Sequence, residues 1–340
     1  MDGVSGAVMC DIAGTELNDE EREWLQDPAL GGIILFARNL VSPAQMRALC
    51  NDIRAINDQL LIAIDQEGGR VQRLREGVTR LPPMAALGRF WQQDPEAAVV
   101  LAHDTGWLLA TEMAACGVDF SFAPVLDLDD ARCPAIGNRA FSSDPAAVVT
   151  LAGAFIDGLS EAGMAAVGKH FPGHGGVTLD SHLTLPEDDR SLAELRARDL
   201  VPFEQLAGRL SGIMPAHVRF TAVDTQPAGF SSRWLDMLRA LPDFAGAIIS
   251  DDLSMQGAHV AGDAAARARA ALQAGCDLIL MCNDAEAAAQ ARRVIDDSGT
   301  LPLQQKHLRR LQLAGTRPPL SKLTDDARLK DIRVRLQQLE

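Results

Sequence analysis

The sequence contains no hydrophobic run that approaches the ~18 apolar residues of a transmembrane helix. Its first five residues, 1–5, also lack the basic n-region and the hydrophobic segment of a secretory signal peptide. We therefore expect a cytoplasmic protein that does not associate with a membrane.

Basic residues are in the minority. The chain has 32 Lys and Arg against 46 Asp and Glu, which gives a formal net charge of −14. An acidic surface repels both the phosphate backbone of nucleic acids and anionic lipids. We therefore expect neither nucleic acid nor a membrane surface as a partner.

Two cofactor signatures are also missing. No G-x-G-x-x-G follows an early apolar run, which excludes a dinucleotide-binding fold of the usual kind. The six cysteines show no CxxC spacing and lie mostly in apolar segments, so they predict buried free thiols rather than a zinc site. These cysteines are Cys10, Cys50, Cys116, Cys133, Cys276 and Cys282.

What the sequence does contain is a regular alternation of two patterns. Hydrophobic residues make up 47% of the chain, enough for a sizeable core, and many fall in short, nearly continuous apolar runs. Such runs are typical of strands buried on both faces, as in a parallel sheet. The predicted strands are 6–12, 32–36, 61–65, 120–125, 165–170, 212–217, 246–251 and 277–281. Amphipathic helical patterns lie between them at 43–56, 96–115, 146–162, 192–206, 231–240, 262–274 and 285–297.

Alternating strands and helices indicate an α/β protein, and about eight strands would close a (β/α)₈ barrel. A doubly wound open sheet is the alternative. After about residue 300 the pattern is helical, with a break at Pro318-Pro319, and we expect these helices to pack on the barrel. The chain 1–340 is thus predicted to form one domain.

Polar residues follow several predicted strands directly. In a barrel the carboxyl ends of the strands meet at the face that carries the active site, so these residues predict one shared pocket. They are Asp65, Asp127, Lys169, His170, His217, Asp251, Asn283 and Asp284.

The segment 168–182 holds the sharpest cluster, with one lysine and three histidines in a glycine-rich loop. Asp180 and His182 are two positions apart, so their side chains can project to the same side of an extended loop. A carboxylate that orients an imidazole allows the ring to give and take a proton near neutral pH. His170 and His174 have the spacing of a helical zinc pair, but Pro172 and Gly173 between them disfavour a helix.

Carboxylates after two other strands complete the candidates. Asp251 follows its strand most directly and has the position of a nucleophile, whereas Asp252 can be a loop or capping residue. Asp65 can accept sugar hydroxyls, and Arg73 can donate to another. Arg139 lies in a loop that is a weak signal by itself.

Taken together, these segments resemble glycoside hydrolase family 3, and most closely its bacterial single-domain β-N-acetylglucosaminidases of cell-wall recycling. The resemblance covers roughly residues 5–300. Its most specific part is the string Lys-His-Phe-Pro-Gly-His-Gly at 169–175, followed by Asp-Ser-His at 180–182. The other motifs are at 64–71, 137–141 and 250–255.

The resemblance implies a (β/α)₈ barrel and a retaining double displacement. It implies Asp251 as the nucleophile and His182 as the acid/base, with Asp180 orienting and charging it. Asp65, Arg73, Arg139, Lys169 and His170 resemble the sugar-binding set. The implied substrate is N-acetylglucosaminyl-β-1,4-anhydro-N-acetylmuramic acid, with or without its peptide, and we expect a monomer that needs no metal or cofactor.

Three other functions compete. One is a β-glucosidase or β-xylosidase on the same scaffold, from which the Asp180-Ser181-His182 element separates the N-acetylglucosaminidases. Another is a metal-dependent barrel hydrolase that uses His170, His174, His182 and an aspartate. The third is a sugar-binding protein that has lost catalysis, which nothing in the sequence supports.

Overall fold

Eight parallel strands close into a barrel in the computed structural model, which describes residues 6–181, 184–298 and 302–339. The strands are β1 (Val8–Cys10), β2 (Leu30–Leu35), β3 (Leu61–Ile64), β4 (Phe120–Ser121), β5 (Ala165–Phe171), β6 (Gly212–Pro215), β7 (Ala247–Asp252) and β8 (Leu278–Leu280). Each one coincides with a predicted strand, so the (β/α)₈ prediction is confirmed.

The strands follow one another around the barrel in sequence order. The barrel closes where β1 pairs with β8, with Val8 opposite Ile279 and Met9 opposite Leu280. All six residues of β2 and all seven of β5 are buried. Burial on both faces explains why these strands are almost continuously apolar in the sequence.

Helices surround the strands. They are α1 (Asp19–Trp24), α2 (Pro43–Ile56), α3 (Met84–Trp91), α4 (Pro95–Cys116), α5 (Pro145–Glu161), α6 (Leu192–Ala197), α7 (Val201–Leu206), α8 (Ser232–Arg239), α9 (Ala264–Ala274), α10 (Ala285–Ser298), α11 (Pro302–Leu308), α12 (Lys322–Asp325) and α13 (Ala327–Gln337). None of the helices in the described ranges is both long and apolar enough to cross a membrane.

Three of these helices share one local start signal. Ser42, Asp94 and Asp144 each precede a proline that opens a helix, and each side chain accepts a backbone N–H of the first turn at 3.0–3.2 Å. A polar cap satisfies an N–H that has no partner within the helix, and proline needs none at the first position. These caps explain why the starts of α2, α4 and α5 are predictable to within a residue.

One predicted helix was wrong in its extent. The pattern over 192–206 predicts a single helix, but the chain forms α6 and α7 with a break at Arg198–Leu200, and Pro202 lies in the first turn of α7. Proline lacks the N–H that would continue the helix and its ring crowds the preceding turn, so a new helix begins there. The short helices α1 and α3 were not predicted.

Helix α13, near the end of the described chain, packs against α4. Leu329, Ile332 and Leu336 of α13 are buried. Arg333 of α13 places Nη2 2.8 Å from Oε1 of Glu112, a buried carboxylate of α4. An apolar stripe and a buried ion pair therefore fasten α13 to α4.

Long loops extend from the carboxyl ends of β3, β4 and β5. The first contains a small antiparallel hairpin, Gln66–Gly68 with Val71–Gln72. The second contains the short helical turn Gly137–Arg139, and the third runs from Pro172 toward a two-residue strand, Glu187–Asp188. These loops bring the polar motifs over the same end of the barrel.

Candidate active site

A pocket of about 540 Å³ opens at the carboxyl ends of the strands. Asp65, Arg73, Arg139, Lys169, His170, Asp180 and Asp251 all line it. His182 lies outside the described residues, so its predicted position is not tested. Motifs that are far apart in the sequence thus meet in one cavity whose size suits a small ligand.

An ion network forms one wall of the pocket. Nζ of Lys169 lies 3.0 Å from Oδ1 of Asp65 and 2.5 Å from Oε1 of Glu67. Arg139 binds Glu67 in a bidentate fork, with both N···O distances at 2.8 Å. Arg73 places Nη2 3.1 Å from Oδ2 of Asp65. Two carboxylates and three cations therefore alternate in a connected chain.

This network fixes the charge state of both carboxylates. Burial by itself raises the pKa of Asp65, but Lys169 and Arg73 outweigh it and hold that pKa well below its usual range. Burial likewise opposes ionisation of Glu67, yet Arg139 and Lys169 lower its pKa to about 2. Both groups are thus anionic at neutral pH. The side chain of Asp65 keeps 18% of its surface exposed, so it can still accept hydrogen bonds from a ligand.

Asp127 is a fully buried carboxylate that organises the end of β5. It accepts the backbone N–H of His170 at 3.2 Å, the ring Nδ1–H of His170 at 2.7 Å and the backbone N–H of His174 at 2.7 Å. Burial raises its pKa, but His170 and the N–H donors lower it overall. The short contact between Nδ1 and Asp127 fixes the orientation of the His170 ring.

His174 is engaged at both ring nitrogens. Nδ1 lies 3.3 Å from Sγ of Cys133, and Nε2 lies 2.9 Å from Oγ of Ser181. These contacts favour a structural role for His174 over a metal ligand. Among the described residues, no group of three or more His, Cys, Asp or Glu side chains is arranged to hold a metal ion.

The two adjacent aspartates of β7 have different surroundings. Asp252 accepts Ser254 N–H at 2.9 Å, Ser254 Oγ–H at 2.7 Å and the N–H of Cys282 at 3.1 Å. Burial raises the pKa of Asp252 to about 6. Asp251 accepts the N–H of Asp252 at 2.8 Å. Both aspartates line the pocket, but Asp252 is also used to turn the chain and to join β7 to β8.

Residues 5–312 match the family described as Glycosyl hydrolase family 3 N terminal domain. The chain belongs to glycosyl hydrolase family 3. The family predicted from the motifs is thereby confirmed. The protein is a glycoside hydrolase.

Individual proteins that are similar to this family 3 hydrolase support the family assignment. A beta-hexosaminidase of Pseudomonas aeruginosa is 57% identical over 289 residues, which are 85% of this chain and 86% of the relative. A beta-hexosaminidase of Methylococcus capsulatus is 53% identical over 302 residues, 88% of this chain and 90% of the relative. The solved structure of NagZ from Neisseria gonorrhoeae in complex with N-trifluoroacetyl-D-glucosamine has a TM-score of 0.92 and 43% identity, and the match covers 99% of this chain and 98% of that one.

Glu67 lines the pocket of this family 3 hydrolase but was not among the predicted site residues, whereas Asp127 was expected in the shared pocket and does not line it. Glu67 is only two positions beyond Asp65 in the same motif, but nothing in the sequence shows that it pairs with Lys169 and Arg139. Asp127 stood out as a polar residue after β4. Its role was hidden because the predicted strand 120–125 is shorter in the structure and ends at Ser121.

The cysteine prediction is confirmed. All six cysteines are buried and free. Burial raises the pKa of the Cys10 and Cys50 thiols to about 12, so they remain protonated and unreactive at neutral pH.

Proposed function

We propose that this glycoside hydrolase is a retaining β-N-acetylglucosaminidase that removes a terminal β-1,4-linked N-acetylglucosamine from N-acetylglucosaminyl-anhydro-N-acetylmuramic acid, with or without its peptide. Relatives at 53–57% identity carry the name beta-hexosaminidase, and a structure of similar fold binds a glucosamine derivative. The observation that carries the proposal is one pocket that unites Asp251, Asp180 and the Asp65–Lys169–Glu67–Arg139 network.

The charged wall of the pocket suits a sugar. Asp65 offers carboxylate oxygens to two hydroxyl groups, while Lys169 and Arg73 orient that carboxylate. Arg139 binds the neighbouring Glu67, and all three cations carry N–H donors.

The first chemical step uses Asp251 and His182. A carboxylate oxygen of Asp251 attacks the anomeric carbon while the C–O bond to the leaving group breaks. The imidazolium of His182 gives its proton to the departing oxygen, and Asp180 stabilises the imidazolium beforehand. The products are the released aglycone and an α-linked glycosyl ester on Asp251.

The second step reverses the roles. Neutral His182 takes a proton from a water molecule, whose oxygen attacks the anomeric carbon and displaces the Asp251 carboxylate. Two inversions restore the β configuration. Histidine replaces the carboxylic acid that most retaining glycosidases use at this position.

We propose further that the enzyme acts as a cytoplasmic monomer on imported fragments of peptidoglycan. No cofactor takes part in either step.

We expect an aryl β-N-acetylglucosaminide to be hydrolysed with a kcat/KM at least about 10²-fold above that of the matching β-glucoside, because a site built for an acetamido group leaves its polar partners unsatisfied when a hydroxyl replaces it. The measurement is initial rates of both substrates with one enzyme preparation. A preference for the glucoside would assign the protein to the β-glucosidases instead.

The same assay distinguishes the proposed enzyme from a metal-dependent hydrolase. Rates should be unchanged after exhaustive chelation, since neither step draws on a metal ion. Activity that is lost on chelation and restored by a divalent cation would indicate that the histidines bind a metal ion.

A further inference from the structure

We propose that His174 is a positioning residue that fixes Ser181, and through it the neighbouring Asp180, at the edge of the pocket. The inference rests on the proposed function in one respect, because it takes Asp180 to be part of the acid/base machinery. It concerns a histidine that neither binds the sugar nor transfers a proton in the mechanism above.

The ring of His174 forms a hydrogen bond at each of its two nitrogens. Burial and the nearby His170 lower its pKa, so the ring is neutral with one donor and one acceptor nitrogen. Burial raises the pKa of Cys133, so its thiol keeps a proton to donate. Either Nδ1 accepts the Cys133 thiol across 3.3 Å and Nε2–H donates to Oγ of Ser181 across 2.9 Å, or both directions are reversed, and the ring is held between the two partners in each case.

The other side of His174 is equally fixed. Its backbone N–H donates to Asp127 at 2.7 Å, and Asp127 also holds His170. His174, Cys133 and Ser181 are all at most 3% exposed. A buried chain of hydrogen bonds therefore runs from the rigid end of β5 to Ser181.

Ser181 is held from a second direction as well. Its carbonyl oxygen accepts the backbone N–H of Gly257 at 3.0 Å, in the short helix Gln256–Ala261 that follows β7. A Cβ at position 257 would lie 3.1 Å from that oxygen, so glycine permits the close approach. Ser181 is thus tied by its side chain to the β5 loop and by its backbone to the loop after Asp251.

The hydrogen bond between His174 and Ser181 bears on catalysis because Ser181 directly follows Asp180 in the chain. Asp180, immediately before it, is half-buried and lines the pocket. The carbonyl of Asp180 also accepts the N–H of Thr184 at 3.1 Å. Loss of the Ser181 hydroxyl removes its hydrogen bond to His174, and the backbone that carries Asp180 is then less restricted at the edge of the pocket.

The test compares leaving groups in a Ser181→Ala variant. Proton donation matters for a poor leaving group and hardly matters for 2,4-dinitrophenolate, which departs without a proton. We expect kcat/KM of the variant to fall about tenfold or more on the disaccharide chitobiose but less than about threefold on 2,4-dinitrophenyl β-N-acetylglucosaminide. His174→Gln should show the same split, and the two changes together should cost less than the product of their separate effects.

A Ser42→Ala variant is the matched control, because Ser42 also loses a hydroxyl hydrogen bond but caps α2 outside the pocket. Its rates on both substrates should equal those of the wild type. Equal losses of Ser181→Ala on both substrates, or no loss on either, would overturn the positioning role. If the wild type cleaves glucosides instead, the same two leaving groups on glucose test this inference while the substrate assignment alone fails.

Discussion

Replacement of Asp251 by alanine is expected to lower kcat on aryl β-N-acetylglucosaminides by at least about 10⁴-fold, the scale seen when a catalytic carboxylate or nucleophile is removed. The variant lacks the oxygen that forms the glycosyl ester, so no first step is available. Added azide should restore part of the rate by entering the vacated space, and the product should then be the α-glycosyl azide because only one inversion occurs.

The neighbouring Asp252 provides the comparison. An Asp252→Asn variant keeps one side-chain acceptor for the donors of Ser254 and Cys282, so we expect its loss of kcat to be smaller than that of Asp251→Ala by about 10²-fold or more. Thermal unfolding of all three proteins checks that each is folded. Activity that survives Asp251→Ala and disappears in the Asp252 variant would move the nucleophile by one residue.

A Lys169→Met variant is expected to lose about 3 kcal/mol of unfolding free energy, the scale found when one partner of a buried ion network is removed. Lys169 is 3% exposed and lies between Asp65 and Glu67, so its loss leaves the buried Glu67 and the half-buried Asp65 with one cation each. Urea unfolding at pH 7 measures this change, and KM for the sugar substrate should rise in parallel.

The difference in unfolding free energy between the wild type and Lys169→Met should depend on pH. In the wild type both carboxylates have lowered pKa values, so their contribution to stability is present above about pH 4 and is lost as the pH falls. In the variant, protonation of a carboxylate relieves the uncompensated charge. The difference in unfolding free energy between the wild type and the variant should therefore become smaller as the pH falls below about 4.

Lys322→Met is the control for a lysine at the surface. Lys322 lies 3.6 Å from Asp326 with 35% of its side chain exposed, and such pairs contribute about 1 kcal/mol or less. A Lys169→Met protein no less stable than Lys322→Met would contradict the proposed role of the buried network.

The fold was predictable because its signal is local. Each strand of the barrel is a short apolar run, and the starts of α2, α4 and α5 have a polar cap followed by proline. The break between α6 and α7 was missed because the helical period continues across it.

The active site was predictable only in part, because its contacts join distant parts of the chain. Lys169 and Asp65 are 104 positions apart, and Glu67 and Arg139 are 72 apart. A motif shows that such residues belong to a site, but the pairing depends on how the loops meet. The place of His182 and the organisation of all 340 residues as one domain stay predictions.

The position of the covalent intermediate tests the central claim most directly. A 5-fluoro derivative of N-acetylglucosaminyl fluoride slows the second step more than it prevents the first, so the glycosyl-enzyme accumulates. Proteolysis and fragmentation by mass spectrometry then locate the sugar. We expect one equivalent on Asp251; a sugar on Asp252 or elsewhere, or no adduct together with an α-configured first product from an ordinary substrate, would contradict the proposed mechanism.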